Sequence, residues 1–190
     1  MLEVFGVSAA MVAIAEMGDK TQLLAIVLAA TFRKPLSILL GIFVATLLNH
    51  TIAAGLGFLV GQWLEGRLFQ TILGVSFIAM ALWALIPDKE EDAPNATRAG
   101  AFLTTLVAFF IVEIGDKTQI ATSLLAARFN DIAVVAVGTT VGMMLANVPA
   151  VFAGEAITRV APLRYIRMGA AVLFAVIGLW IIWAAWATQG

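Results

Sequence analysis

Six long apolar segments limit the folds that are open to this chain. They cover residues 4–32, 36–60, 68–87, 101–129, 132–153 and 166–187. Each is close to or above the length of about 20 residues that crosses a bilayer as a helix. Backbone groups in hydrocarbon must bond within the protein, and no segment alternates as a barrel strand does, so we interpret all six as helices. The sequence therefore predicts an all-α integral membrane protein with six transmembrane helices.

The composition agrees with this interpretation. Charged residues make up 12% of the chain, about half of the roughly 25% that soluble domains carry. A net charge of −1 gives no basic surface for nucleic acid, and the absence of cysteine excludes disulfides, thiolate metal sites and cysteine nucleophiles. The 190 residues leave no room for a soluble catalytic domain. We predict a protein in contact with the lipid bilayer, without enzymatic activity and without a resident cofactor.

The two halves of the sequence are related. Residues 16–22 (EMGDKTQ) recur as residues 113–119 (EIGDKTQ), at an offset of 97 and with six of seven positions identical. Further identities at this offset pair Gly41 with Gly138, Gly57 with Gly154, and Trp83 with Trp180. A register kept over about 65 residues indicates duplication.

The duplication predicts how the chain is organised in the membrane. We predict a first three-helix repeat over residues 1–87, an acidic linker over residues 88–98, and a second three-helix repeat over residues 99–190. Because each half holds three spans, an odd number, the second half must enter the membrane from the opposite side. In such inverted repeats the substrate site lies near the membrane midplane, where the repeats meet.

The basic residues predict the orientation. The loops after spans 1, 3 and 5 carry seven of them: Arg33, Lys34, Lys89, Arg98, Arg159, Arg164 and Arg167. The opposite face carries Arg67 and Arg128, when the two lysines of the repeated motif are left out. Cytoplasmic loops are enriched in Lys and Arg, so this asymmetry places both termini outside the cytoplasm.

Ionisable residues occur at the centres of the first and fourth spans. Residue 19 lies close to the midpoint of 4–32, and residue 116 lies close to that of 101–129. The six groups are Glu16, Asp19, Lys20, Glu113, Asp116 and Lys117. Each costs from a few to more than ten kcal/mol at the bilayer centre. Interruptions at corresponding places in two halves are the best sequence pointer to a transporter site.

The spacing within the motif suggests a cation site. On a continuous helix Glu16 and Asp19, three residues apart, share a face. Gly18 and Gly115 allow close helix approach or local unwinding. We expect the four carboxylates to converge with oxygen atoms from Thr21, Gln22, Thr118 and Gln119. Several oxygen donors that include carboxylates suit hard cations such as calcium, manganese or magnesium.

The charge of this site suggests a mechanism. Four carboxylates and two lysines, all ionised, give a net charge of −2, which one divalent cation or two protons would neutralise. Burial and repulsion between like charges both favour the protonated carboxyl group. A site that alternates between a divalent cation and two protons would make the protein a cation/proton antiporter.

Other residues have more than one interpretation. Lys20 and Lys117 are counter-charges that tune the site, or structural i,i+4 partners of Glu16 and Glu113. Gln22 and Gln119 are ligands or interhelical hydrogen-bond donors. A polar set in the second span of each half comprises Asn49, His50 and Asn147. These residues link helices or form a second ligand shell, in which His50 supplies a nitrogen donor that favours manganese over calcium or relays protons.

The doubled motif resembles that of a known family. Two copies of Glu-x-Gly-Asp-Lys/Arg-Thr/Ser, in the first span of each half, resemble the cation/proton exchangers that include bacterial manganese exporters and the Golgi manganese/calcium transporter. The resemblance implies export of Mn²⁺ across a bacterial cytoplasmic membrane in exchange for protons. One chain carries both half-sites, so a monomer suffices, and a homodimer stays open.

Several alternative functions compete with this interpretation. The same carboxylates would suit a calcium/proton antiporter or an exporter of cationic amino acids. A passive channel differs from these in being insensitive to a pH gradient. An intramembrane aspartyl protease would use Asp19 and Asp116 as a proton-sharing pair, but it requires neither the glutamates nor the lysines of the motif.

Overall fold

The computed structural model describes residues 1–63, 66–86, 100–153 and 163–187, which form eight helices and no strand. In chain order the helices are α1 (Leu2–Glu16), α2 (Lys20–Phe32), α3 (Pro35–Trp63), α4 (Arg67–Ala84), α5 (Gly100–Glu113), α6 (Lys117–Phe129), α7 (Ile132–Ala153) and α8 (Leu163–Ala187). The predicted linker over residues 88–98 lies outside the described part of the chain.

Four of these helices, α3, α4, α7 and α8, are long and apolar enough to cross a membrane. Their outer faces carry large apolar side chains such as Leu40, Leu56, Val75 and Leu179, which are more than half exposed. A surface of this kind suits contact with lipid and not with water. The prediction of an all-α membrane protein is confirmed.

The first and fourth apolar segments are each divided into two helices, at the motif that interrupts them in the sequence. Helix α1 ends at Glu16 and α2 begins at Lys20, while α5 ends at Glu113 and α6 begins at Lys117. At each break a glycine, Gly18 or Gly115, has a φ of 77°. Glycine adopts this backbone conformation readily, whereas other residues disfavour it. Of the two roles considered for these glycines, the structure shows local unwinding.

The helices of the two halves pack in corresponding ways. Helix α1 packs against α7 and α5 packs against α3, while α3 also contacts α7. Helix α4 packs antiparallel to α8, since the Trp186 side chain hydrogen-bonds to Thr71 and the Phe77 ring lies 6.5 Å from the Phe174 ring. Phe77 and Phe174 are related by the offset of 97 residues. The four half-length helices lie among these long ones and bring the motif residues to the interior.

Candidate metal centre

Three carboxylates of the two motif copies come together at the helix breaks. Glu16, Asp19 and Asp116 each place a carboxylate oxygen within 4.8 Å of the others. All three side chains are buried. Glu16 is the last residue of α1, and the two aspartates precede the first residues of α2 and α6. The breaks bring the acids together, so the expectation that Glu16 and Asp19 share a face of one continuous helix is wrong.

The fourth carboxylate, Glu113, faces a histidine. Its Oε2 lies 3.7 Å from Nε2 of His50, and both side chains are fully buried. Neither ring nitrogen of His50 has a hydrogen-bond partner in the described residues, and the same is true of Oε1 of Glu113. Buried polar atoms of this kind are expensive, and they are chemically suited to bind a cation or a proton. The structure therefore extends the carboxylate group with a nitrogen donor from α3.

The threonines of the motif orient the carboxylates. Thr21 donates a hydrogen bond from its hydroxyl to Oε2 of Glu16. The Thr118 hydroxyl lies 3.4 Å from Oε2 of Glu113 and 3.4 Å from Oδ2 of Asp116, within reach of either acceptor. In both copies the hydroxyl follows the glutamate by five residues and contacts it across the break. A hydroxyl that donates one hydrogen bond keeps its two lone pairs, which are available to a further donor or to a cation.

Both lysines make contacts across the molecule. Nζ of Lys20 lies 3.4 Å from Oδ1 of Asp116, which belongs to the other half. Nζ of Lys117 donates to the Ile86 carbonyl at 3.0 Å and lies 6.0 Å from the Trp83 ring centroid. An i,i+4 pair between a lysine and the glutamate of its own motif requires a continuous helix, and each break removes that geometry. These contacts agree with a role as counter-charges.

The two glutamines cap the breaks. Oε1 of Gln22 accepts a hydrogen bond from the Gly18 N–H at 2.9 Å, and Oε1 of Gln119 accepts one from the Gly115 N–H at 2.7 Å. Nε2 of Gln22 also donates to the Ala146 carbonyl of α7 at 2.9 Å. Each glutamine therefore supplies a partner to a backbone group that the unwound turn leaves without a helical one. Of the two interpretations, hydrogen bonding has the clearer geometric support.

The polar residues of α3 and α7 divide between the two interpretations. Asn49 donates from Nδ2 to the Phe110 carbonyl of α5 at 3.0 Å, which links two helices. Asn147 donates from Nδ2 to the Met143 carbonyl of its own helix at 3.1 Å, and its buried Oδ1 has no hydrogen-bond partner in the described residues. Thr46, one turn before His50, is buried, and its hydroxyl has no hydrogen-bond partner among the residues that the structure describes. Sequence reasoning missed Thr46, although its i,i+4 relation to His50 pointed to the same helix face.

Comparison with known proteins places this arrangement in a family. The family model described as "Divalent cation/proton antiporter GDT1" matches residues 4–92 and again residues 101–189. A protein of Vibrio cholerae named "Putative manganese exporter" is 47% identical over 180 residues, which cover 94% of this chain and 90% of that protein. Two Arabidopsis thaliana proteins, GDT1-like protein 4 and GDT1-like protein 5, are 27% and 26% identical, each over 94% of this chain and 95% of their own length.

No solved structure matches the chain. The sequence relationships cover almost the whole of it, and they confirm the resemblance that the doubled motif indicated. The chain therefore belongs to the GDT1 family of divalent cation/proton antiporters.

Proposed function

We propose that this protein exports Mn²⁺ in exchange for protons, through a carboxylate site between two inverted three-helix repeats. The observation that carries the proposal is the cluster of Glu16, Asp19 and Asp116, whose buried oxygens lie within 4.8 Å of one another. Buried charges at this density are costly unless a cation or protons compensate them. Each half of the chain contributes to the cluster, as expected where two repeats form one site.

Three observations support the inverted repeat. The family model matches residues 4–92 and 101–189, ranges that are related by the same offset of 97. A Cβ atom added to Gly41 would lie 2.8 Å from the Phe102 carbonyl, and one added to Gly138 would lie 3.0 Å from the Phe5 carbonyl. These two contacts are also related by the offset. Close helix approach therefore recurs at equivalent places in the two halves, and the antiparallel packing of α4 and α8 agrees with opposite orientations.

The charge of the site favours a divalent ion. The four motif carboxylates and two lysines sum to −2 when all are ionised, so one divalent cation restores neutrality. Two protons would do the same once the cation leaves, and this equivalence is the basis of the proposed exchange. A monovalent cation would leave a buried net charge, which is expensive in a medium of low dielectric constant.

The donor set favours manganese, with calcium as the alternative. Calcium prefers six to eight oxygen ligands, whereas manganese also accepts imidazole nitrogen. His50 supplies such a nitrogen, 3.7 Å from the Glu113 carboxylate. The Vibrio cholerae relative carries manganese export in its name, and we propose the same ion here.

A small cavity suggests the route to the site. It holds about 20 Å³, and its lining includes Asp19, Lys117, Ala84 and Ala170, which is room for about one water molecule. Ala84 ends α4, and Ala170 lies in the first half of α8. With the proposed orientation, in which both termini lie outside the cytoplasm of a bacterial cell, this cavity adjoins the cytoplasmic side. That position fits an exporter which loads its ion from the cytoplasm.

The test is Mn²⁺ flux into proteoliposomes under an imposed pH gradient. The wild type is compared with Asp116→Asn and with Asp131→Asn, a matched control. Asp131 accepts a hydrogen bond from the Val134 N–H at the start of α7, and asparagine caps a helix equally well. We expect gradient-driven uptake in the wild type and the control, and its loss in Asp116→Asn. Unchanged flux in Asp116→Asn would contradict the site.

Other outcomes of this experiment distinguish the alternatives. Flux that ignores the pH gradient would indicate a channel. Calcium flux without manganese flux would support the proposed site and show that calcium is the transported ion. Competition by lysine for Mn²⁺ flux would favour an exporter of cationic amino acids.

A further inference from the structure

We infer that a second site, remote from the carboxylates, binds a phosphate-type anion, which the bilayer supplies as a phospholipid headgroup. A cavity of about 330 Å³ lies where the start of α4, the end of α6 and the last turns of α8 meet, and its lining includes Gly66, Arg67, Gln70 and Arg128. Its volume is within the range of roughly 300–1,000 Å³ that is typical of ligand sites. Arg128 is about 16 Å along α6 from Lys117, which separates this cavity from the proposed transport site.

The charges around the cavity favour an anion. Arg67 and Arg128 are two like charges, and the lining residues in the described part of the chain include no carboxylate. Nε of Arg128 is buried and has no hydrogen-bond partner there. A guanidinium presents a planar set of N–H donors that matches two phosphate oxygens. A bound phosphate would satisfy the buried Nε–H of Arg128 and accept further hydrogen bonds from the guanidinium groups.

The backbone adds further donors. Helix α4, of 18 residues, begins after Gly66, whose φ is 92° and which has no side chain to cap the first turn. The first N–H groups of a helix have no partner within it, and together with the helix dipole they favour an anion. Gly66 and Gln70 both line the cavity, so this end of α4 borders it. The helix terminus and the arginines therefore point to the same ligand chemistry.

Tryptophans place the cavity at the depth of lipid headgroups. The Arg67 guanidinium lies 5.5 Å from the Trp186 ring centroid, and that of Arg128 lies 5.8 Å from the Trp180 centroid. Both indoles are at least half exposed on the outer face of the bundle. Tryptophan is enriched at the membrane–water interface, where its ring sits at the level of the lipid headgroups. These neighbours favour a phospholipid over a phosphate free in solution.

The test measures lipid binding to the detergent-purified full chain by native mass spectrometry. Phosphatidylglycerol is compared with phosphatidylcholine, and the wild type with the double variant Arg67→Gln/Arg128→Gln. Arg33→Gln is the control, because Arg33 is exposed at the end of α2. We expect the wild type and the control to prefer phosphatidylglycerol, and the double variant to bind it at least about tenfold more weakly, as for loss of a hydrogen bond to a charged group.

Further measurements distinguish a lipid headgroup from free phosphate as the source of the anion. They use the wild type, so they do not depend on the folding of a variant. Competition of inorganic phosphate with phosphatidylglycerol on the wild type supports the phosphate chemistry of the site without any variant. Binding of inorganic phosphate without phosphatidylglycerol would assign the site to a soluble anion. Equal affinity of the wild type for the two lipids and no effect of phosphate would overturn the proposal, as would a double variant that binds phosphatidylglycerol like the control.

Discussion

The ammonium group of Lys20 lies 3.4 Å from the carboxylate of Asp116, so a lysine of the first half pairs with an aspartate of the second. This pair spans the two copies of the motif. Asp116 is also one of the three clustered carboxylates, so the lysine adjoins the proposed cation position. Lys20 therefore contributes to the charge of the site, and a cation bound to Asp116 would lie close to the Lys20 ammonium group.

Removal of this lysine charge should tighten cation binding and slow transport. Lys20→Gln changes the sum of the motif charges from −2 to −3. A unit charge about 4 Å away contributes up to roughly 4 kcal/mol at an effective dielectric constant of 20, so we expect Mn²⁺ affinity at pH 8 to rise by about tenfold or more. Release of the ion becomes harder, and turnover falls. Calorimetry in detergent and proteoliposome flux measure the two effects.

The control for this experiment is Lys34→Gln, which removes an exposed lysine just beyond α2. Its affinity and turnover should match those of the wild type. If Lys20 only held the two halves together, Lys20→Gln would lower the unfolding temperature and leave Mn²⁺ affinity unchanged, a result that would refute the electrostatic role.

The glutamine caps should differ in their contribution to stability. Gln22→Leu removes a hydrogen bond to the Gly18 N–H and another to the Ala146 carbonyl, whereas Gln119→Leu removes the bond to the Gly115 N–H. A buried group left unpaired costs about 1–3 kcal/mol, and the bond to the Ala146 carbonyl is buried whereas the bond to the Gly115 N–H is exposed. We expect both variants to unfold at lower temperature in detergent, with the larger decrease for Gln22→Leu. Equal unfolding temperatures of Gln22→Leu and the wild type would show that the caps contribute nothing.

The sequence predicted that the charged motif residues are buried, and that both halves of the chain contribute them to one site. Six charged groups at the centres of apolar segments are costly in lipid unless they lie together in the protein interior. The offset of 97 indicated which residues of the two halves correspond. Those inferences rest on composition and register. They do not depend on the path of the backbone, so they could be made without a structure.

The partners of those residues depend on the backbone path and could not be predicted. The spacing of Glu16 and Asp19 suggested one helix face. The chain instead leaves the helix after Glu16, Gly18 has a positive φ, and Asp19 lies beyond the break, before the first residue of α2. The pairing of Lys20 with Asp116 and the approach of His50 to Glu113 are contacts between distant segments. A local pattern predicts an i,i+4 neighbour, and it contains no information on a neighbour 63 or 96 residues away.

The contact between α3 and α6 should be intolerant of a single added methyl group. A Cβ atom on Gly57 would lie 1.9 Å from the Ser123 carbonyl oxygen, and this backbone cannot yield as a flexible side chain would. Overpacking of this kind costs about 1–3 kcal/mol, occasionally more. We therefore expect Gly57→Ala to lower the unfolding temperature and the yield of monodisperse protein.

Gly55→Ala is the matched control, two residues away in the same helix, with nothing within 4 Å of the added atom. It should be neutral or stabilising by up to about 1 kcal/mol, because alanine has the higher helix propensity. Similar unfolding temperatures for the two variants would show that α3 and α6 do not pack as closely as the glycine implies.

The histidine should set the preference for manganese over calcium. His50 corresponds to Asn147 at the offset of 97, so His50→Asn gives both halves the same side chain. The substitution replaces an imidazole whose Nε2 lies 3.7 Å from the Glu113 carboxylate with an amide, which offers a metal its oxygen and not its nitrogen. Imidazole suits transition metals, while calcium takes oxygen ligands. We expect the ratio of Mn²⁺ to Ca²⁺ affinity to fall about tenfold, or roughly 1.4 kcal/mol, mainly by loss of Mn²⁺ affinity.

The reciprocal variant Asn147→His tests whether the effect depends on position. Oδ1 of Asn147 is buried without a hydrogen-bond partner in the described residues, but the contact with Glu113 is made by His50. A second imidazole on α7 should therefore not restore the ratio in a His50→Asn background. Competition between the two ions in proteoliposome flux gives the ratio for all variants. If His50→Asn transports both ions with the wild-type ratio, the carboxylates alone select the ion, and the buried histidine is a packing residue between α3 and the second helix break.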